Sequence, residues 1–557
     1  MPDARWASAL TCGRVMMTQT SQMQHFVSHD NQQIPYQLFP ARSQNGPAAA
    51  IVLLYHNVDL KEKIAALGLP ECTFFAVDCA PGKLDAETTD GSSALSLQSY
   101  YFQQFIEHIT AQHGLRTQDI ALVAHRECAV IIAAWMVDYA PDIRSVTLFS
   151  PRFLLRKRDL LFELLTKPKA WNTLRDLHYT SQRIFRSLFA WPTPTQLVLT
   201  QSDRRAAAGT LMTFYANLGS STKTVLMMPD SGFGCPGQLW DKSVLAQTRT
   251  FLRLHFSQHH PVPSLFDSWQ QGATWEEYER LRMPEKSLLR RGYWRLANLA
   301  LRAMGHFSSG IRLGLETGFD SGASLEYVYQ NQPTGKGAAG RAVDRYYLNT
   351  LGWRCTRQRK QHLEALIAMA ASLLAQQGQT VRLLDIAAGK GRYILDAIEN
   401  IEPPVEHLLL RDFDAANVEE GNRLLLQREL NERARFEQGD AFSPADLTTL
   451  PADRTLAVVS GLYELFSDNN LVLASLNGLA NAVKKGGYLV YTTKLWNPKL
   501  ALMARVLPSH QKGAFWLLRR RSQREIDQMV KRAGFVKVTQ RVDGWGLFSV
   551  TLAKKVR

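Results

Sequence analysis

The sequence predicts an α/β protein made of two doubly wound units in series, and three observations predict it. Short apolar runs alternate with amphipathic helical stretches along both halves of the 557-residue chain, the pattern of strands covered by helices. One run, LLDIAAGKGRYIL at Leu383–Leu395, passes from a buried strand through glycines into a helix. The chain closes on a helix, a strand (VKVTQRV), the turn DGWG and a last strand (LFSVTLAKK). That ending reads as a hairpin adding an antiparallel strand to a parallel sheet.

The glycine turn carries the chemistry. Gly389 and Gly391 let the backbone turn sharply and lie close to a ligand. The helix N-terminus behind them favours negative charge. A nucleotide-like cofactor is therefore expected. A dinucleotide fingerprint needs a third glycine where Ile394 stands, and its absence argues against NAD. GKGRY also lacks the G-K-[ST] ending of a phosphate loop. The segment resembles motif I of the class I S-adenosylmethionine-dependent methyltransferases, acid-x-G-x-G-x-G. Asp385, Ala387, Gly389 and Gly391 occupy its positions, with alanine replacing the first glycine.

Downstream motifs extend the resemblance. The apolar run HLLLRDFD reaches Asp412, about 20 residues past the glycines, where an acid bonds a ribose hydroxyl. ARFEQGDAF ends at Gly439, Asp440 and Ala441; the resemblance gives Asp440 contact with the adenine amino group, with Ala441 beside it. It implies a Rossmann-like class I fold over residues 378–557 with S-adenosyl-L-methionine as cofactor. A fourth strand, TLAVVSGLYELF, runs into Tyr463 and Glu464. In this family the transferred methyl lies near that strand end, so Glu464 is a candidate base and Tyr463 a candidate for positioning the acceptor. Enzymes acting on exocyclic base amines carry [DNS]-P-P-[YFW] there, whereas this chain has Ser460-Gly461-Leu462-Tyr463. No cysteine for cytosine-C5 chemistry is nearby. Nucleic acid is disfavoured, and a small-molecule or lipid-like acceptor is expected.

Residues 23–256 carry a second α/β pattern, with strand-like runs AAAIVLLYHN, CTFFAVDCA, DIALVAH, SVTLFSP, TQLVLTQSD and TKTVLMMP. Their order resembles the α/β-hydrolase fold, nearest its monoglyceride-lipase-like and serine-aminopeptidase-like branch. The nucleophile elbow of that fold is G-x-S-x-G. Here Arg126 takes the serine position and Cys128 a glycine position. Arginine stays protonated and cannot attack. His56-Asn57 replaces the usual His-Gly of the oxyanion loop. Asp203 survives as the acid, but MMPDSGFGCPG, where the histidine belongs, contains none. A triad needs all three members, so this half reads as a pseudo-hydrolase domain. Cys128 reads as a buried, inert thiol.

The connector spans residues 257–377. In it, EKSLLRRGYWRLANLALRAMG has apolar residues at helical spacing with arginines interleaved. Its stripe is expected to pack on a core, an anionic membrane surface being the alternative. Tyr327, Tyr329, Asn331, Tyr346, Tyr347 and Asn349 are candidates for a substrate lid over the cofactor.

Composition bounds the rest. Hydrophobic residues make up 45% and charged residues 21%, with a net charge of +15. That charge attracts anions in general, and basic runs such as RRRSQR at Arg519–Arg524 are scattered along the chain. The six cysteines show no metal-ligand or redox spacing, so no metal is expected and a reducing, cytoplasmic compartment is. Peripheral contact with the inner membrane face is compatible with it. Residues 1–22 are expected to be disordered or to precede the true start. The whole chain resembles bacterial fusions of a hydrolase-like domain to a class I methyltransferase. Two alternatives stand beside a methyltransferase with an inactive partner domain: a bifunctional hydrolase and methyltransferase, and a membrane-associated scaffold that only binds the cofactor. Oligomeric state is open.

Overall fold

A computed structural model describes residues 21–41, 49–55, 60–78, 93–156, 160–161, 163, 171–228, 242–258, 260–267, 272–399, 401–511 and 513–557. It contains two sheets with helices on both faces. The first comprises β1 (Gln22–Val27), β2 (Gln33–Phe39), β3 (Ala50–Tyr55), β4 (Thr73–Asp78), β5 (Ile120–His125), β6 (Ser145–Phe149), β7 (Thr195–Thr200) and β8 (Lys223–Met228). Their order is β1-β2-β4-β3-β5-β6-β7-β8. β1 and β2 pair antiparallel, β2 meets β4 antiparallel, and the rest run parallel. Central strands such as β5 are buried at every residue, as expected where helices cover both faces.

The second sheet comprises β9 (Val381–Ile386), β10 (Val405–Asp412), β11 (Ala434–Gln438), β12 (Arg454–Val459), β13 (Val483–Lys494), β14 (Phe535–Val542) and β15 (Phe548–Lys555). Its order is β11-β10-β9-β12-β13-β15-β14, with β15 antiparallel to both neighbours. The chain reverses direction across the sheet between β9 and β12, which puts the ends of β9, β10, β11 and β12 around one crevice. Ligands of open α/β sheets bind at such a switch point.

The two sheets are tied by polar contacts. Arg524 donates to the carbonyls of Ala190 and Pro141, at 3.1 and 2.8 Å, and pairs with Asp142 at 2.9 Å. Lys537 donates to the Tyr139 carbonyl at 2.6 Å, and Gln540 to the Asp138 carbonyl at 2.7 Å. The RRRSQR run therefore does not form the anion-attracting surface its charge suggested. Arg519, Arg520, Arg521 and Arg524 are all buried, paired with Glu525, Glu277, backbone carbonyls and Asp142. Buried arginine is tolerated when its fork of donors is satisfied in this way.

A second correction concerns the connector helix Leu288–Gly305. Its apolar stripe does not pack on a core: Leu289 is 88% exposed and Leu296 66%. No helix among the described residues is long and apolar enough to cross a membrane.

The elbow residue Arg126 has φ 50 and ψ −116, a region a side chain enters only under strain. Its amide donates to the Phe149 carbonyl at 2.9 Å, and the helix Glu127–Tyr139 starts immediately after it. Cys128 is buried, at 2% exposure. Asp203 falls in the helix Gln201–Asn217, but its side chain lies outside the described residues. So do His56, Asn57, most of MMPDSGFGCPG and residues 1–20.

Candidate functional site

β9 ends on a turn whose backbone is unusual at three positions. Ala387, Gly389 and Gly391 have φ of 57, 58 and 75. Glycine accepts such values freely, while alanine is strained there, which explains why the resembling motif has glycine at the position Ala387 occupies. The turn is held by Ala388 N–H to the Arg411 carbonyl, 3.0 Å, and Gly391 N–H to the Ala388 carbonyl, 2.9 Å. The space beside Gly389 is open: a Cβ there would meet nothing within 4 Å.

Asp412, ending β10, faces the same space. One carboxylate oxygen accepts the Gly389 amide at 2.8 Å. The other accepts the Asp414 amide and the Asn417 side chain, each at 3.0 Å. Asp440 lies just past β11 and holds the Phe442 amide at 2.8 Å. Ala387, Gly389, Gly391, Asp412, Asp440 and Ala441 all line one cavity of about 1360 Å³. Ordinary small-molecule pockets hold roughly 300–1,000 Å³, so this one has room for a cofactor and a second molecule.

Asp385 is the exception among the expected cofactor residues. Its side chain is fully buried behind the turn and does not line the cavity. It accepts the Tyr393 hydroxyl at 2.7 Å. Burial pushes its carboxyl well above the usual carboxylate range, and the neighbouring Asp412 charge adds to this. Asp385 supports the turn from below rather than touching a ligand.

The acceptor side divides the remaining candidates. Glu464 lines the cavity and stands 3.6 Å from Arg359, both nearly inaccessible. Tyr463 does not line it. Its hydroxyl turns into the core and shares a hydrogen bond with Ser475 at 3.0 Å, so it cannot position an acceptor. Tyr329, Tyr346 and Tyr347 line the cavity, whereas Tyr327, Asn331 and Asn349 do not. The Tyr327 hydroxyl is taken by Asp344 at 2.6 Å. Asn331 and Asn349 instead cap the helices Gly322–Gln330 and Gly337–Leu348. Apolar walls come from Leu301, Met304, Trp353, Leu502 and Trp516, the two indoles stacking at 5.9 Å.

Two cations at the cavity floor escape a reading of the sequence. Lys494, the last residue of β13, is buried with its ammonium 3.7 Å from the Phe548 ring centre. Arg359, from the helix Leu351–Gln376, lies 4.7 Å from the same ring. Burial, only partly offset by Glu464, pushes the Lys494 amine down to about 8. Burial works against Arg359 too, but Tyr329 and Glu464 hold its pKa above the ordinary value. A lysine closing the otherwise apolar run GYLVYTT is the one sign that could have marked Lys494.

Comparisons with known proteins fall on the same region. A family model whose description reads "Putative methyltransferase" matches residues 248–555, including the connector helices that wall the cavity. An Escherichia coli K12 protein, "Uncharacterized protein YnbC", is 37% identical over 95% of this chain and 97% of its own. The chain is also similar to three solved structures. One is an O-methyltransferase family protein from Burkholderia thailandensis, with 14% identity, 38% of this chain, 62% of that one and a TM-score of 0.28. Another is geranyl diphosphate C-methyltransferase from Streptomyces coelicolor, in complex with S-adenosyl-L-homocysteine, with 16% identity, 34% of this chain, 77% of that one and a TM-score of 0.25. The third is an exported-protein candidate from Bordetella parapertussis, with 17% identity, 52% of this chain, 99% of that one and a TM-score of 0.39. Similarities at TM-scores this low do not show a family. The family match, spanning residues 248–555 and thus more than half of the chain, does: the chain belongs to this methyltransferase family.

Proposed function

We propose that the chain transfers the methyl group of S-adenosyl-L-methionine to a small-molecule or lipid-like acceptor. The observation that carries the reading is the Gly389–Asp412 pair bordering the large cavity, with Asp440 on the same rim. The residues fit the cofactor. The open space at Gly389 would let a ligand lie against backbone, Asp412 would accept ribose hydroxyls and Asp440 an adenine amino group. When bound, the sulfonium supplies an already activated methyl group. The protein's part is alignment and removal of a proton. Lys494, whose amine burial pushes down to about 8, would take that proton in its neutral form, which is the minority near pH 7 and grows as the pH rises. Glu464 and Arg359 set the charge around it, and the indoles of Trp353 and Trp516 give the site an apolar wall.

The N-terminal half supports an α/β-hydrolase shape without its chemistry. Its strand order and the strained backbone at Arg126 fit the strand-to-helix elbow of that fold, while arginine there cannot act as nucleophile.

Calorimetry with S-adenosyl-L-methionine tests the donor site, with micromolar affinity expected. Lysate incubated with methyl-labelled donor then identifies the acceptor. A protein that binds no donor at all would end this reading.

A further inference from the structure

The connector helix Leu288–Gly305 has three distinct faces. Trp294, Ala297, Asn298, Leu301 and Gly305 lie toward the protein, against the helices Ser309–Thr317 and Leu500–Val506. The Asn298 amide anchors this face to the Val506 carbonyl at 3.2 Å. On the opposite side, Leu289, Tyr293 and Leu296 are 88%, 61% and 66% exposed. Their spacing sets them in one line on a helix of 3.6 residues per turn. Leu288 and Leu299 widen the stripe, at 78% and 65%. Between the bare stripe and the packed face run Arg291, Arg295 and Arg302, all exposed.

The stripe leads to the cavity. Leu301 and Met304 of the same helix line it, and so does Tyr346, which is 73% exposed. Side chains that both line a cavity and meet solvent mark its mouth. One opening of the cavity therefore lies at Met304, 39% exposed beside the bare stripe, and another at Phe413, 73% exposed.

We infer that this face docks on the surface of an anionic lipid bilayer. The leucines and Tyr293 enter the boundary between headgroups and acyl chains, and the arginines meet headgroup phosphates. Charge selects this occupant. A second copy of the chain would bring Arg291 and Arg295 against their own images, whereas an anionic surface neutralises them. The net charge of +15 adds attraction at longer range. Docking would also bring the opening at Met304 to the membrane, where a lipid-borne acceptor could enter. Only that last consequence rests on the methyl-transfer reading; the docking surface itself does not.

Vesicle co-sedimentation of the full chain tests the inference. Vesicles of equal parts phosphatidylglycerol and phosphatidylcholine should retain the protein, and pure phosphatidylcholine should retain much less. The double variant Leu289→Glu/Leu296→Glu should bind anionic vesicles at least about tenfold more weakly. Arg291→Gln/Arg295→Gln should weaken both the preference for anionic lipid and the sensitivity to salt. Circular dichroism and donor calorimetry on each variant should match the parent, since none of these residues lines the cavity. Equal retention of parent and double-glutamate variant would overturn the inference. So would no retention together with a concentration-dependent dimer that the glutamates abolish, which would assign the stripe to a second copy. Loss of donor binding in the parent would instead count against the methyl-transfer reading and leave the vesicle result standing.

Discussion

The Gly389 amide donates to the Asp412 carboxylate across 2.8 Å. This bond ties the turn after β9 to the end of β10 and holds the carboxylate at the cavity rim. Gly389→Val puts a β-branched side chain at φ 58, costing about 1–3 kcal/mol in local strain, and fills the open space a ligand would use. Asp412→Ala removes a charged acceptor, a loss of roughly 1.5–3 kcal/mol. Each variant should weaken S-adenosyl-L-methionine binding by about tenfold to a hundredfold in calorimetry. Unchanged affinity in both would remove the site assignment.

Lys494 makes a pH prediction whose sign follows from burial. Its amine titrates near 8 in the folded protein and near ~10.4 in an unfolded chain. Below the folded value both states hold the proton and the full burial cost is present. Between the two values only the unfolded state keeps it, so stability rises with pH. Urea titrations should show the parent gaining stability relative to Lys494→Met as pH climbs from 8 toward 10. The rate of methyl transfer should rise through the same lower value in the parent and lose that limb in the variant. A pH-independent stability difference would mean that the amine is not held in a burial-shifted state.

Both sheets were legible wherever a strand is buried on both faces. IALVAH is apolar up to its final histidine and RTLAVV after its first two residues, and every residue of both strands is buried. β1, with the sequence QMQHFV, is mostly exposed at the sheet edge and gives no such run. The glycine turn was legible because only particular residues tolerate its backbone, and the carboxylates because they follow strand ends. Other features depend on partners far away in sequence. The arginines of RRRSQR look like a solvated cluster until carbonyls of the other half reach them. Periodicity found the helix Leu288–Gly305 but could not say which face meets protein, since a bilayer and a core ask for the same spacing. Tyr463 and Glu464 are adjacent, yet their side chains point oppositely, and only the backbone path after β12 decides which one reaches the cavity.

Arg126 tests the inactive-elbow reading in two ways. With an arginine at the nucleophile position and Cys128 buried at 2% exposure, a general fluorogenic ester should show no turnover above buffer. Turnover that Cys128→Ala abolishes would restore the hydrolase. Glycine carries no penalty at φ 50. Arg126→Gly should therefore stabilise the protein by about 0.5–2 kcal/mol in chemical denaturation, the strain relieved less the backbone freedom glycine adds to the unfolded chain, with donor affinity unchanged.

Arg183 and Asp138 test how the two halves are joined. Their charged groups stand 3.0 Å apart at 2% and 4% side-chain exposure. The same guanidinium donates to the Trp545 carbonyl at 2.5 Å, in the hairpin between β14 and β15. Gly546 lies so close that a Cβ there would come within 2.0 Å of it. Arg183→Met leaves Asp138 buried without its partner and frees the hairpin, so it should cost about 3–5 kcal/mol. Burial already raises the Asp138 carboxyl to about 7, against the pull of Arg183, whereas an unfolded aspartate titrates near ~3.9. Its charge therefore costs stability as pH rises through that window. Removing Arg183 takes away the offset, so the deficit of the variant should shrink as the pH is lowered and Asp138 takes up its proton. The double variant Arg183→Met/Asp138→Asn should recover much of the loss at neutral pH. A deficit constant with pH, and undiminished in the double variant, would mean that Arg183 acts through packing alone.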